Sequence, residues 1–474
     1  MTTENSNLGN PIHYMDATTL ARLIKTKEIT SREVVQAHLD RIAAVNPKVN
    51  AIVTLLGEQA LDAADEAQKA VMSGAKLGPL HGVPFTAKDA LDTVGVPTKR
   101  GSKLFENYVP EKDATSVARF KAAGGILLAK TNLPEFSAWT ETDNLVTGRT
   151  NNPWNLDRTP GGSSGGESAA IAAGMSPIGI GSDVAISVRG PAAFTGIAAL
   201  KATHGRVPYT GHYPANIQRW WHVGAMARTI GDVALGYSII KGTDGVDGYA
   251  VHAREASPGL TRISGQPLRV GWATELAFGP VDPEITVAVK NAAAQLANLG
   301  CIVEEVTLPF LNDPLSALAT MIYAELVPSI KALAAGRESE LHFIGKGIVD
   351  MADPSFSDYL AAEANGEALK SAFAKYFEKY DVLLCPVNPM TATPHGAQEL
   401  IVNGQKVSWM HVMSSTSAFN LTGLPALSVP FAISSENLPI GIQLVSKWLD
   451  EDTILRIGSL LERKGGLGDL RPPL

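Results

Sequence analysis

The stretch Gly161-Gly162-Ser163-Ser164-Gly165-Gly166, continued by Gly181-Ser182-Asp183-Val184-Ala185-Ile186-Ser187-Val188-Arg189-Gly190-Pro191, governs how the rest of the chain is read. Four glycines surround two serines, a density that a plain surface loop does not need. Glycine is used where the backbone takes conformations or makes approaches that other residues forbid. Residues 166–174 (GESAAIAAG) are small and read as a helix suited to close packing under that loop. Its N-terminus offers free N–H groups and positive potential to a developing anion. Residues 161–165 also fit the G-x-S-x-G nucleophile elbow, but that elbow follows directly on a buried strand. Here the preceding ten residues contain Pro153 and Pro160, which a central strand does not tolerate. The elbow stands only as an alternative.

Working outward, short apolar runs alternate with Gly- and Pro-rich turns. Residues 81–88 read as a turn feeding a strand, residues 114–123 as a helix, and 126–130 and 178–181 as short buried strands. The first 75 residues read as a helical segment packed on a main domain at 76–474. Thr30-Ser31-Arg32-Glu33 is a capping box, Val34, Val35, Leu39 and Ile42 share one face, and Asn46-Pro47 ends that helix. A second helix is expected from about 56 to 71. Further on, strands fall at 268–272, 301–303, 382–384 and 426–429, and helices at 282–298, 315–336 and 357–379. This interleaving is that of an α/β layer architecture.

Composition narrows the function. The 474 residues carry a net charge of −7, with 45% hydrophobic and 18% charged residues. No basic field is available to hold nucleic acid. The N-terminus MTTENSNLGNPIHYM shows no signal-peptide pattern, and no run of about 18 apolar residues occurs, so no membrane span and a cytoplasmic location are expected. Cys301 and Cys385 both read as buried strand residues; they form neither a disulfide framework nor a metal-ligand spacing. Two other glycine patterns fail as nucleotide sites. In Gly125–Thr131 the second P-loop glycine is Ala129, and in the Gly179-Ile180-Gly181 run position 184 is valine.

Gly161–Gly166 and Gly181–Phe194 strongly resemble the amidase signature. Similar family segments are Gly82-Val83-Pro84-Phe85-Thr86-Ala87-Lys88-Asp89, Lys130–Glu135, Asn152–Asn155, Leu200–Val207, Phe419–Pro425 and Leu438–Gln443. The resemblance runs from about residue 15 to 462. Ser163 lies 75 positions after Lys88 and Ser187 lies 24 after Ser163, both similar to the family's intervals. The resemblance implies a single large α/β/α domain with a mixed sheet covered by helices. It also implies a Ser–cisSer–Lys triad, with Ser187 as nucleophile, Ser163 as proton relay on a non-proline cis peptide, and Lys88 as base. A lysine base must be neutral, and burial beside Val83, Phe85 and Ala87 would favour that form. The backbone N–H groups of Val184, Ala185, Ile186 and Ser187 would form the oxyanion hole. Asp183 and Arg189 are read as a structural pair orienting that turn. No metal and no cofactor are implied.

The chain departs from the family at Ala185-Ile186, where Gly-Gly is usual. If either position needs φ > 0, Ile186 would be strained, and its bulk would reshape the acyl pocket. Ala138, Ser164 and Ile186 are expected to line the substrate pocket, with the segment 391–413 and apolar walls from Trp220-Trp221 and Trp409-Met410. The expected activity is hydrolysis of small aryl or alkyl amides or carbamates by a monomer or homodimer, with a small amide, ester or carbamate as the substrate. Two alternatives are a glutaminase-type component of a tRNA-dependent amidotransferase and an inactive binding protein of the same fold.

Overall fold

In a computed structural model of the chain, the described residues are 10–215, 217, 219–253, 267–397, 399–464, 467 and 470–474. Residues 1–9, most of the N-terminal stretch read above for targeting signals, lie outside them. The short apolar runs form β1 (Ile52–Leu55), β2 (Pro84–Lys88), β3 (Ile126–Thr131), β4 (Ile178–Asp183), β5 (Ala198–Lys201), β6 (His222–Ala227), β7 (Arg269–Trp272), β8 (Ile302–Glu305) and β9 (Val382–Pro386). A hairpin, β10 (Glu399–Val402) and β11 (Gln405–Ser408), stands apart, and β12 (Ala426–Ile433) and β13 (Pro439–Ser446) complete the set. Among the described residues, eleven strands form one sheet in the order β1-β3-β2-β4-β6-β5-β12-β13-β9-β7-β8. The groups β3-β2-β4 and β9-β7-β8 pair in parallel, and the other neighbours are antiparallel. The sheet is therefore mixed, as expected. Every residue of β2, β3 and β4 is buried, which is why they read as continuous apolar or small runs instead of alternating ones.

The N-terminal segment differs in two details. Thr30 and Glu33 do close a capping box, but the helix continues through Pro47 to Val49 and ends on Asn50 in the left-handed conformation. Pro47 sits in the last turn, where it withholds one N–H from the helix ladder. The Asn46 side chain, read as a stop, instead accepts from Ala51 N at 2.8 Å and Ile52 N at 2.9 Å. That contact seats β1, an unanticipated strand that pairs antiparallel with β3. Val35, Ile42, Val45 and Val49 then share one buried cluster with Ile126 and Leu128 of β3 and with Ala169 and Ala170. The segment is thus joined to the main sheet through both hydrogen bonds and core.

Helix Pro314–Ala334 is, among the described residues, the one helix long and apolar enough to cross a membrane. It carries Glu325 and Lys331, so it is not an unbroken run of about 18 apolar residues. Its Leu318, Met321, Leu326, Val327 and Ile330 are buried in the protein. Cys385 is buried in β9 as expected, whereas Cys301 is only half-buried, because β8 is an edge strand with a mostly exposed surface.

Candidate active site

Lys88 ends β2, next to β4, and is fully buried. Its Nζ lies 2.6 Å from Ser163 Oγ and 3.0 Å from Ser182 Oγ. Burial pulls the Lys88 pKa well below the ordinary lysine value, against the opposing fields of Asp183 and Glu167. The neutral amine, the form able to accept a proton, is favoured. Glu167 lies in the same layer, bonded to Thr86 and, at 2.8 Å, to the Thr131 hydroxyl. Burial pushes its carboxyl up to about 7.

The glycines account for how this centre packs. The Gly162–Ser163 peptide is cis. A Cβ at Gly162 would sit 2.5 Å from Glu141 O, and one at Gly166 would sit 2.4 Å from Asn132 N. Helix Gly165–Ala172 is wholly buried and brings its N-terminus beneath the serines.

Ser187 follows β4 in a tight turn held from behind. Asp183 Oδ2 accepts from Val188 N at 3.0 Å and from Arg189 Nε at 3.0 Å, while Oδ1 accepts from Arg189 Nη2 at 3.0 Å. Asn420 Nδ2 adds a bond to Asp183 Oδ1 at 2.9 Å, and Arg189 Nη1 reaches Gln443 Oε1 at 2.8 Å. Burial alone would raise the Asp183 pKa, but the Arg189 guanidinium leaves it below its usual value. The pair is structural, as the sequence suggested. Breaking one partner of such a buried pair leaves a lone buried charge and costs about 3–5 kcal/mol.

With Asp183 holding Val188 N and Arg189 N, the four preceding amides are left over. Among the described residues, the N–H groups of Val184, Ala185, Ile186 and Ser187 donate no hydrogen bond. Unspent, adjacent donors beside a serine are what a developing oxyanion requires. Neither Ala185 nor Ile186 has a positive φ, so the departure from Gly-Gly introduces no left-handed strain.

Ser187 and Ser163 meet through their neighbours: Ser164 N donates to Ser187 O at 3.2 Å. Among the described residues the Ser187 hydroxyl makes no hydrogen bond of its own. It lines a cavity with Val184, Ala185, Ala138, Trp139, Trp221, Trp409, Met410 and Met413. Helix Pro314–Ala334 supplies the opposite wall through Leu315, Leu318, Ala319, Ile322, Tyr323 and Leu326. Among the described residues, none lining this cavity is charged.

Three pocket expectations are corrected. Ser164 is not in the wall; its hydroxyl is spent behind it, on Ser182 O at 3.1 Å and Ser182 N at 3.2 Å. Ile186 is 2% exposed and turned onto Gly190, where a Cβ would meet Ile186 Cγ1 at 2.5 Å. Trp220 faces a different hollow, with Arg219 and Trp448. Ala138, Trp221, Trp409 and Met410 hold their expected places. The sequence reading missed Ser182, the second partner of Lys88, and His212, whose Nε2 lies 2.7 Å from Ser182 Oγ. Ser182 sits inside the decisive motif, next to Asp183, and could have been flagged there. His212 carries no spacing signal.

The family described as Amidase matches residues 33–455. A glutamyl-tRNA(Gln) amidotransferase subunit from Carboxydothermus hydrogenoformans is 33% identical over 98% of this chain and 100% of its own length. Among solved structures, 6-aminohexanoate cyclic dimer hydrolase with substrate superposes with a TM-score of 0.87 at 29% identity, covering 97% of this chain and 99% of that one. A bacterial aryl acylamidase of the amidase signature family gives a TM-score of 0.87 at 27% identity, covering 96% and 97%.

Proposed function

The chain belongs to the amidase family and has its C–N hydrolase fold; from that premise we propose that it cleaves small apolar amides or urethanes through an acyl-Ser187 intermediate. The observation that carries this reading is the conjunction of a buried Lys88–Ser163 pair with free amides at Ser187, opening on an uncharged cavity. Ser187 Oγ attacks the carbonyl carbon as its proton passes to Ser163 Oγ and the Ser163 proton passes to Lys88 Nζ. The carbonyl electrons move onto oxygen, which the amides of Val184, Ala185 and Ile186 meet; losing one such donor typically costs about 3–4 kcal/mol. Collapse breaks the C–N bond, and the amine leaves with the proton returned through Ser163. Water then enters by the same relay and releases the acid.

The cavity supports an aryl or alkyl acyl group, since its walls offer area for apolar burial and no ion to pair with a charged substrate. The test is turnover of a panel of p-nitroanilides, esters and carbamates, with Lys88→Ala, Ser163→Ala and Ser187→Ala as controls. Hydrolysis that survives Ser187→Ala would defeat the reading.

The identity to the Carboxydothermus amidotransferase component favours a second reading, a glutaminase that makes ammonia for a partner. Glutamine brings an ammonium and a carboxylate, and burying either unpaired is costly. The uncharged lining weighs against it. Ammonia release from glutamine exceeding turnover of every apolar amide would reverse that judgement.

A further inference from the structure

A buried chain of hydrogen-bonding groups continues behind Lys88, away from Ser163. Ser182 Oγ lies 3.0 Å from Lys88 Nζ and 2.7 Å from His212 Nε2. His212 Nδ1 lies 2.6 Å from the Tyr209 hydroxyl, which is bonded to the carbonyl of Pro214. Ser182, His212 and Tyr209 are all buried.

The carbonyl end fixes the direction of the whole chain. A carbonyl oxygen only accepts, so the single Tyr209 proton is committed to Pro214. Towards His212, the Tyr209 oxygen is then an acceptor, and the imidazole proton must sit on Nδ1. A neutral ring with Nδ1–H has a lone pair on Nε2, so the Ser182 hydroxyl donates to it. Having given its one proton, Ser182 can only accept from Lys88.

We propose that His212 is a positioning residue that turns the Ser182 hydroxyl away from Lys88 and so leaves the Lys88 lone pair to Ser163. This rests on the reading of Lys88 as the base. With a ring that could not accept, Ser182 would be free to donate to Lys88 and occupy the electrons that the relay needs. Burial, helped by the Arg100 guanidinium, holds the His212 pKa well below the ordinary histidine value and keeps the ring neutral.

The fold fastens this chain to the catalytic strand. His212 bridges to Leu91, Tyr213 N donates to Ala90 O at 3.1 Å, and Asp92 N donates to Gly211 O at 2.8 Å, all just past Lys88. Gly211 has φ +80°, and a Cβ there would lie 2.5 Å from Ala114 Cα, so the turn closes only with glycine. Trp221 covers the imidazole with ring centres 4.7 Å apart and itself lines the cavity, which keeps bulk water from the ring.

The test is a double-mutant cycle on the rate of Ser187 modification by a fluorophosphonate and on ester turnover. His212→Phe is expected to lower both rates about 10- to 100-fold, the scale of a misdirected catalytic group, with KM changed less than threefold. In a Ser182→Ala background, where no hydroxyl remains to be misdirected, adding His212→Phe should change the rate less than twofold. Equal costs of His212→Phe in the two backgrounds would overturn the proposal, because a merely structural role is indifferent to the Ser182 proton. A second measurement, on the unaltered protein, is the ¹⁵N spectrum of its labelled histidines, assigned by loss of one ring in His212→Phe. An Nδ1–H tautomer supports the proposal and an Nε2–H tautomer overturns it. If the unaltered protein resists the fluorophosphonate, the hydrolase reading falls while the tautomer still decides the role of His212.

Discussion

At the scale of single residues, Lys88 shows how function and stability part company. Its fully buried amine has little to gain from the fold as an ammonium ion, since desolvation dominates its shift. Lys88→Met should therefore reduce turnover by at least about 10³-fold, the scale of losing a triad base. The same substitution should keep or raise the melting temperature, as read by calorimetry; a large drop would mean that the lysine is charged and structurally paired. Glu167 makes the complementary case. Burial raises its carboxyl from 4.5 to about 7, so the folded state holds the proton more tightly than the unfolded chain. That contribution is fully present below pH 4.5 and is lost as pH rises through about 7, on the order of 3 kcal/mol in all. Glu167→Gln should remove this loss, so the gap in urea midpoint between variant and parent widens in the variant's favour from pH 5 to pH 8. His13 and His38, lowered by burial to about 4 and about 3, lose stability in the opposite direction as pH falls below 6.5, and the comparison at each pH cancels them.

At the scale of elements, the helix Pro314–Ala334 walls the cavity beside Ser187. Ala319 is the small position on its cavity face, between Leu315 and Ile322. Ala319→Phe should raise KM for bulky aryl amides about tenfold while leaving a small acetyl substrate unaffected, measured as kcat and KM on both; an equal effect on the two would place the acyl group elsewhere. This is also where legibility in the sequence ends. The strands β2, β3, β4 and β9 and the three long helices after residue 280 announce themselves through apolar runs and caps, because burial on both faces and free helix ends impose those patterns. The proposed triad residues Lys88, Ser163 and Ser187 were legible because the glycines and serines around them are locally dictated. The helix wall of the cavity was not, since periodicity gives a helix its apolar faces without saying which one meets the site. His212 was hidden for a related reason: its partner Ser182 is 30 residues away, brought near only when its turn bridges to Leu91. Ile186 was misplaced because its backbone direction, and not its bulk, decides which way it faces.

At the scale of the whole molecule, the eleven-stranded sheet ties the N-terminal segment and the layer holding Lys88 into one body. β1 pairs with β3, and Val35 and Val45 share a core with Ala169 of the helix beneath the serines. Thermal unfolding followed by far-ultraviolet dichroism and by tryptophan fluorescence should therefore give coincident transitions; an earlier loss of helical signal would show the N-terminal segment melting alone. The same continuity lets one chemical event report on the account as a whole, because Ser187, Lys88 and the free amides are presented together only by the intact sheet. The most direct measurement is to quench the reaction with a p-nitrophenyl ester in acid and map the acylated peptide by mass. One acyl group on Ser187, absent from Lys88→Met, is the predicted result; an acyl group on any other residue, or turnover with none trapped on Ser187 under burst conditions, would contradict it.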